Sequence, residues 1–156
     1  MGLNGQRKIL YQLSAFGFFL WWGGFTFYAA FVVPTGMNVL GSHVLMGFIT
    51  EQVSIKLNIV CAIAILFVLI YLRVNWKLMP RKSLRLILYN IVGMMVLLAA
   101  LTVLHVYMKG LMDFGNRKLV DEPHFYLLHR IYLLVSTVMW IQGIIHIIMF
   151  LNLREL

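Results

Sequence analysis

Five histidines, His43, His105, His124, His129 and His146, are the side chains of this chain best suited to chemistry. A neutral imidazole can ligate a haem iron or a copper ion. Set in apolar sequence, it also needs a partner, because burying an unpaired polar group is costly. His129 and His146 both fall in the apolar stretch LHRIYLLVSTVMWIQGIIHIIMFLNL. At 1.5 Å per residue their separation on one helix is roughly 25 Å, so they cannot share a ligand.

Two cofactor readings follow. In the first, His105 and His129 lie at similar depth on different helices and hold a b-type haem. Consecutive helices usually pack with axes about 8–10 Å apart, which is close for a bis-histidine haem. In the second, His43, His105, His124 and His129 form a metal site, with Met37, Met46, Met108 and Met112 nearby favouring copper(I). No short His-x-x-x-His spacing supports it. The plain alternative makes His129 and Arg130 a polar anchor at a membrane surface and His43 and His124 ordinary loop residues. It leaves His146 satisfied beside Gln142 and Asn90. On that reading no cofactor is expected. Nucleophile–base pairs, phosphate-binding glycine loops and paired carboxylates are all missing, so an enzyme is not expected. Glu51, near Asn58, could begin a proton path, since acids in a membrane span are functional by default. No acidic relay continues it.

The elements that must position these groups are membrane helices. Of 156 residues, 62% are hydrophobic and 12% charged, against about 45–50% and about 25% in soluble domains. The mean hydropathy is +0.91. One cysteine, Cys61, allows no intrachain disulfide. The net charge of +8 lies at helix ends, which favours lipid headgroups over nucleic acid as the partner. The start MGLNGQ has Gln6 where a myristoylation signal has Ser or Thr, and no cleavage site follows the first apolar run, so a retained anchor is expected.

About 20 mostly apolar residues make a spanning helix. Four runs qualify, about 13–33, 56–74, 86–108 and 127–152, the first closed by Pro34 and the second extended by snorkelling Lys56 and Arg73. The fold class expected is all-α, an antiparallel bundle of four membrane helices in one domain. The side holding both termini and the 73–85 loop has eight basic residues, Arg154 among them, and one acid, Glu155. The other side has five basic residues and four acids, so the positive-inside rule puts both termini in the cytoplasm. Trp76, Tyr107, Tyr126 and Tyr132 are placed as an aromatic belt. Ser42 is placed to cap either a short surface helix or the start of the second span. Pro123 suits the first turn of the fourth helix, and residues 109–126 read as an ordered loop.

Small and polar residues recur at helical spacing on each span. Ser14, Gly17, Trp21, Gly24 and Tyr28 mark the first, and Glu51, Ser54, Asn58 and Cys61 the second. Asn90, Gly93, Leu97 and Ala100 mark the third, with Thr102 and His105 together near its end. His129, Tyr132, Ser136, Met139, Gly143 and His146 mark the fourth. Such stripes are expected to meet inside the bundle, chiefly as packing surfaces, with Glu51, Asn58 and Ser136 as the polar interior.

The segments FFLWWGGFTFYAAFVVPTG, GFITEQVSIKLN and FYLLHRIYLLVSTVMWIQG resemble an uncharacterised family of bacterial four-helix membrane proteins. That family is distantly similar to the copper-resistance protein D type. The resemblance covers most of the chain. Its matched positions are Trp22, Gly23, Gly24, Tyr28, Pro34 and Asn58, then His129, Arg130, Tyr132, Ser136, Thr137 and Trp140. It implies the bacterial inner membrane, a four-helix fold and a remote link to copper, but no activity. The function expected is that of a non-enzymatic accessory or stabilising subunit of a larger membrane complex. A haem- or copper-binding protein is the alternative.

Overall fold

A computed structural model describes residues 3–152. Met1, Gly2, Arg154 and Glu155, which entered the lipidation and charge-balance readings, lie outside the described residues. Four segments are long and apolar enough to cross a membrane: Gly5–Leu40, His43–Asn75, Arg81–Gly110 and Glu122–Leu151. Every one outruns the charge-free stretch that marks it in sequence. Lys56 is therefore an exposed residue well inside the second long helix, while Arg73, also exposed, lies in its last turn.

The first segment is where the sequence expectation fails. Helix α1 (Leu3–Phe27) passes into a π-helical turn, Tyr28–Val32, and then into α2 (Val33–Leu40), so Pro34 does not close the helix. A proline ring normally clashes with the carbonyl four residues earlier and lacks an N–H to donate. In the π turn Val33 N–H reaches back five residues to the Tyr28 carbonyl, and Pro34 sits in the first turn of α2. The wider turn takes up the misfit and the chain continues. Gly41 ends α2 at φ 58°, its N–H bonded to the Met37 carbonyl at 3.0 Å. The left-handed backbone there favours glycine.

Ser42 caps a long helix, not a short surface one. Its Oγ accepts from Leu45 N–H at 3.3 Å, and α3 runs from His43 to Asn75 without interruption. Helix α4 spans Arg81–Gly110. A small antiparallel hairpin follows, β1 (Met112–Asp113) on β2 (Lys118–Leu119), where the sequence suggested only an ordered loop. Asp113 holds its turn, accepting from Gly115 N–H at 3.0 Å, Asn116 N–H at 3.1 Å and the Asn116 side chain at 2.8 Å. Helix α5 (Glu122–Leu151) starts with Pro123 in its first turn and with Asp121 accepting from His124 N–H at 3.1 Å.

Helices α1 and α3 touch, as do α3 and α4, α4 and α5, and α1 and α5. The interior is a column of buried side chains: Phe18 and Trp21 from α1, Cys61, Ala64 and Val68 from α3, Ile91 and Met94 from α4, and Met139 from α5. The stripe expected on α5 is buried from Tyr132 onward, and those on α1 and α3 are buried at Ser14, Trp21, Glu51 and Cys61 and half-buried at their other positions. On α4 the fully buried face is apolar (Ile87, Ile91, Met94, Leu101), and Asn90, Gly93, Leu97 and Ala100 lie along its edge. Gly143 on α5 is required by packing: a Cβ there would lie 2.7 Å from the buried Trp21 ring and 3.2 Å from Trp22. Trp22 stacks on Trp140, whose indole N–H donates to Thr26 Oγ1 at 2.8 Å, so α1 and α5 are joined by rings and one cross-helix hydrogen bond.

Candidate binding cavity and its charged annex

The end of the molecule away from the termini, here the distal end, is not filled. A cavity of about 440 Å³ lies among α1, the π turn, α2, the start of α3 and the start of α5. Most of its lining is apolar, with Phe25, Val33, Met46, Leu57, Phe125 and Leu133 among the walls. The π turn contributes Tyr28 and Ala29, so the local widening that accommodates Pro34 also shapes the wall.

Polar groups stand at two levels. Near the start of α5 are His129, stacked on Phe125, and Arg130. On the facing wall Tyr28 OH donates to Thr50 Oγ1 at 3.1 Å, and that hydroxyl donates to the Met46 carbonyl. Deeper along α5 come Tyr132 and Ser136. The Asn58 amide from α3 meets the Tyr132 hydroxyl at 3.5 Å, a long contact between a half-buried and a buried polar group. Ser136 is 5% exposed and its Oγ has no partner. A buried hydroxyl left unsatisfied costs about 1–3 kcal/mol, so this oxygen is where a bound molecule would gain most. Next to the cavity, and sharing Phe25 and Ala29 with it, is a surface groove where α1 and the π turn meet α5, formed also by Thr26, Ala30, Thr137 and Trp140.

Beside the cavity is a smaller chamber of about 50 Å³ that shares Thr50, Ser54, His129, Tyr132 and Leu133 with it. Here Glu51 is 7% exposed and buried within the helix bundle. Its Oε1 lies 3.3 Å from His105 Nε2 and 3.5 Å from Lys109 Nζ, and its Oε2 accepts from the Gln52 amide at 2.6 Å. The imidazole meets the carboxylate at charge-pair distance without the alignment of a hydrogen bond. A carboxylate at this depth is tolerable because a cation and an amide converge on it. His105 thus belongs with Glu51 and not with Thr102, whose hydroxyl is exposed and turned back to the Leu98 carbonyl.

The sequence-predicted site residues separate accordingly. Glu51, Asn58 and Ser136 are all interior, Asn58 and Ser136 on the main cavity and Glu51 in the annex. His105 and His129 both line the annex, together with Met108 and Met112. His43 lines the main cavity near its rim, and His124 is an exposed residue in the first turn of α5. Among the described residues no three His, Cys, Asp or Glu side chains converge as a metal cluster. Tyr132, assigned to an aromatic belt, is 9% exposed and faces the interior, whereas Trp76, Tyr107 and Tyr126 are exposed.

His146 departs furthest from expectation. It is 1% exposed, and neither ring nitrogen has a partner. Its ring stacks between Phe18, with centroids 4.1 Å apart, and Phe150, at 5.7 Å. The Asn90 amide donates to the backbone carbonyl of Gln142 at 3.5 Å, and the Gln142 side-chain oxygen is buried without a partner of its own. His146 therefore acts as an aromatic plate in the packed half near the termini, not as a hydrogen-bonded polar residue.

Tyr28, Asn58, Tyr132 and Ser136 were each assigned to inward faces in sequence, but periodicity does not show that they meet around one cavity. No family model, no curated protein and no solved structure matches this chain.

Proposed function

We propose that this protein is a non-enzymatic, multi-pass membrane protein that binds an amphipathic, lipid-soluble molecule in its distal cavity. The observation that carries the reading is the cavity of about 440 Å³ with apolar walls and the unpartnered Ser136 hydroxyl set into them. Ligand sites are typically about 300–1,000 Å³, mostly apolar, with a few polar groups fixing orientation. The four helices form an antiparallel bundle in the bacterial inner membrane, with both termini cytoplasmic by the balance of basic loop residues, and the cavity then faces the outer leaflet. The accessory role in a larger membrane complex becomes that of a subunit that holds a ligand for its partners.

Gly47 provides the test. It lines the cavity, and a Cβ placed on it meets nothing within 4 Å, so Gly47→Phe fills the cavity without a backbone clash. Organic extracts of wild-type protein purified in mild detergent are expected to contain a bound molecule that extracts of Gly47→Phe lack. Identical extracts from the two folded proteins would refute the reading. A cysteine at Gly115, in the hairpin turn, tests the orientation: it should react with an impermeant thiol reagent from outside intact cells.

A second reading rests on the annex. His105, His129, Met108 and Met112 line one chamber of about 50 Å³, room for an ion rather than a macrocycle, and imidazole with thioether favours copper(I). Copper analysis of unstripped protein tests it, with loss expected in His105→Ala and His129→Ala.

A further inference from the structure

We infer that the ligand of this cavity is a glycerophospholipid, seated with its phosphate at Arg130, an ester carbonyl at Ser136 and Asn58, and an acyl chain in the groove between α1 and α5. The inference rests on the cavity reading above and gives its ligand a chemical class.

Charge decides the head. Arg130 is the one side chain of the cavity lining with a fixed charge, and no acidic residue lines that cavity. Ion pairs among the described residues are confined to Glu51 with His105 and Lys109, so Arg130 has no acid of its own. Glu51, the nearest buried acid, stands in the annex and is already matched there. An exposed guanidinium at the mouth of an apolar cavity pairs with an oxyanion, and its planar fork suits phosphate.

Depth decides the rest. From Arg130 to Ser136 is six residues of α5, about 9 Å along the axis, in the direction of the termini. That level holds the unpartnered, nine-tenths buried Ser136 Oγ and the Asn58 amide, whose one contact is the long one to Tyr132. Both are donors, and an uncharged acceptor several bonds inward from a phosphate is what a glycerol ester presents. Four residues further along α5, Trp140 forms part of the lipid-facing groove with Phe25, Thr26, Ala29 and Ala30, which has the apolar lining a hydrocarbon chain requires. A free fatty acid would leave Ser136 opposite methylene groups. A quinone ring would leave Arg130 without an anion.

The experiment uses the full chain, delipidated in detergent and titrated with dioleoylphosphatidylglycerol while native mass spectra count bound lipid. One lipid per chain is expected at low lipid concentration. Arg130→Gln should weaken it about tenfold or more, a charge-assisted bond to phosphate being lost. Ser136→Ala should weaken it several-fold while leaving the lipid-free protein as stable as wild type, because the hydroxyl it removes has no protein partner. Equal retention by wild type and both variants would mean annular lipid only and would overturn the inference. So would a quinone or free fatty acid in the native extract displaced by Gly47→Phe, although the cavity reading would then stand. No binding of this lipid to wild type would also overturn the inference, while the cavity reading would still be decided by whether the native extract holds a molecule that Gly47→Phe lacks.

Discussion

Glu51 offers the sharpest test of the packing at the distal end, because it should respond differently to losing one partner than to losing the whole pair. Its Oε1 is 3.3 Å from His105 Nε2. At an effective dielectric of about 20, a full charge pair at that distance is worth roughly 5 kcal/mol gross. Burial of the two groups, Glu51 at 7% and His105 at 8% exposed, offsets much of that. Removing one member of a buried pair typically costs about 3–5 kcal/mol, whereas replacing both by apolar residues is often neutral. His105→Leu leaves the carboxylate with Gln52 and with Lys109, whose side chain is 55% exposed and so compensates weakly; a loss of about 3 kcal/mol is expected. Glu51→Leu leaves an imidazole that can remain neutral and should cost about 1–3 kcal/mol. The double variant is expected to be no less stable than His105→Leu alone, giving a coupling of about 1–3 kcal/mol. Reversible unfolding in mixed micelles, or steric trapping in bicelles, measures all four proteins. Additive losses would show that the carboxylate and imidazole do not interact, and the charged annex would have to be redrawn.

At the α1–α5 contact, Gly143→Ala should destabilise by about 1–3 kcal/mol, since its methyl would lie 2.7 Å from the Trp21 ring. Gly23→Ala, whose Cβ meets nothing within 4 Å, should be neutral or stabilising in the same unfolding assay. In the hairpin, the Asn116 side chain, followed by backbone N–H groups, holds the Asp113 carboxyl below its usual 3.8. A lowered folded pKa stabilises the hairpin above the ordinary carboxylate range and loses that contribution as pH falls through the lowered value. Protection of the Gly115 and Asn116 amides, taken relative to the intrinsic exchange rate at each pH, should therefore hold above the ordinary carboxylate range and fall only in strongly acidic solution, a pH dependence that Asp113→Asn should lack.

The membrane helices were legible because lipid imposes a length and a composition that few other structures meet. The inward face of α5 was legible for a related reason: Tyr132, Ser136, Met139, Gly143 and His146 are all buried, and a helix buries what spans three and four residues. What periodicity does not encode is pairing between faces. The second span was taken to begin at about residue 56, which left Glu51 ahead of it. Once Ser42 caps the helix, Glu51 stands two turns inside it and meets His105. Pro34 was misread because its local preference to end a helix was overridden by a π turn, a backbone adjustment no residue type announces. His146 was misread because a histidine in apolar sequence suggests a hydrogen bond, whereas here the flat ring is used between Phe18 and Phe150.

The two halves of the interior are built differently, and the difference limits what the protein can do. Toward the termini the space is closed by rings: Tyr11 stacks on Phe150 at 4.9 Å, Tyr71 meets both edge-on, and His146 lies between Phe150 and Phe18. Below the cavity, Trp21, Cys61, Met94 and Met139 form a layer with almost no exposed surface. A solute crossing the chain would have to part that layer, where packed side chains have no polar group to replace water. The distal half is left open instead, with a surface groove at Trp140 and Ala30 beside its cavity. An arrangement of that kind suits holding or presenting a membrane-dissolved molecule within one leaflet, and it argues against a conduction path through a single copy of the chain.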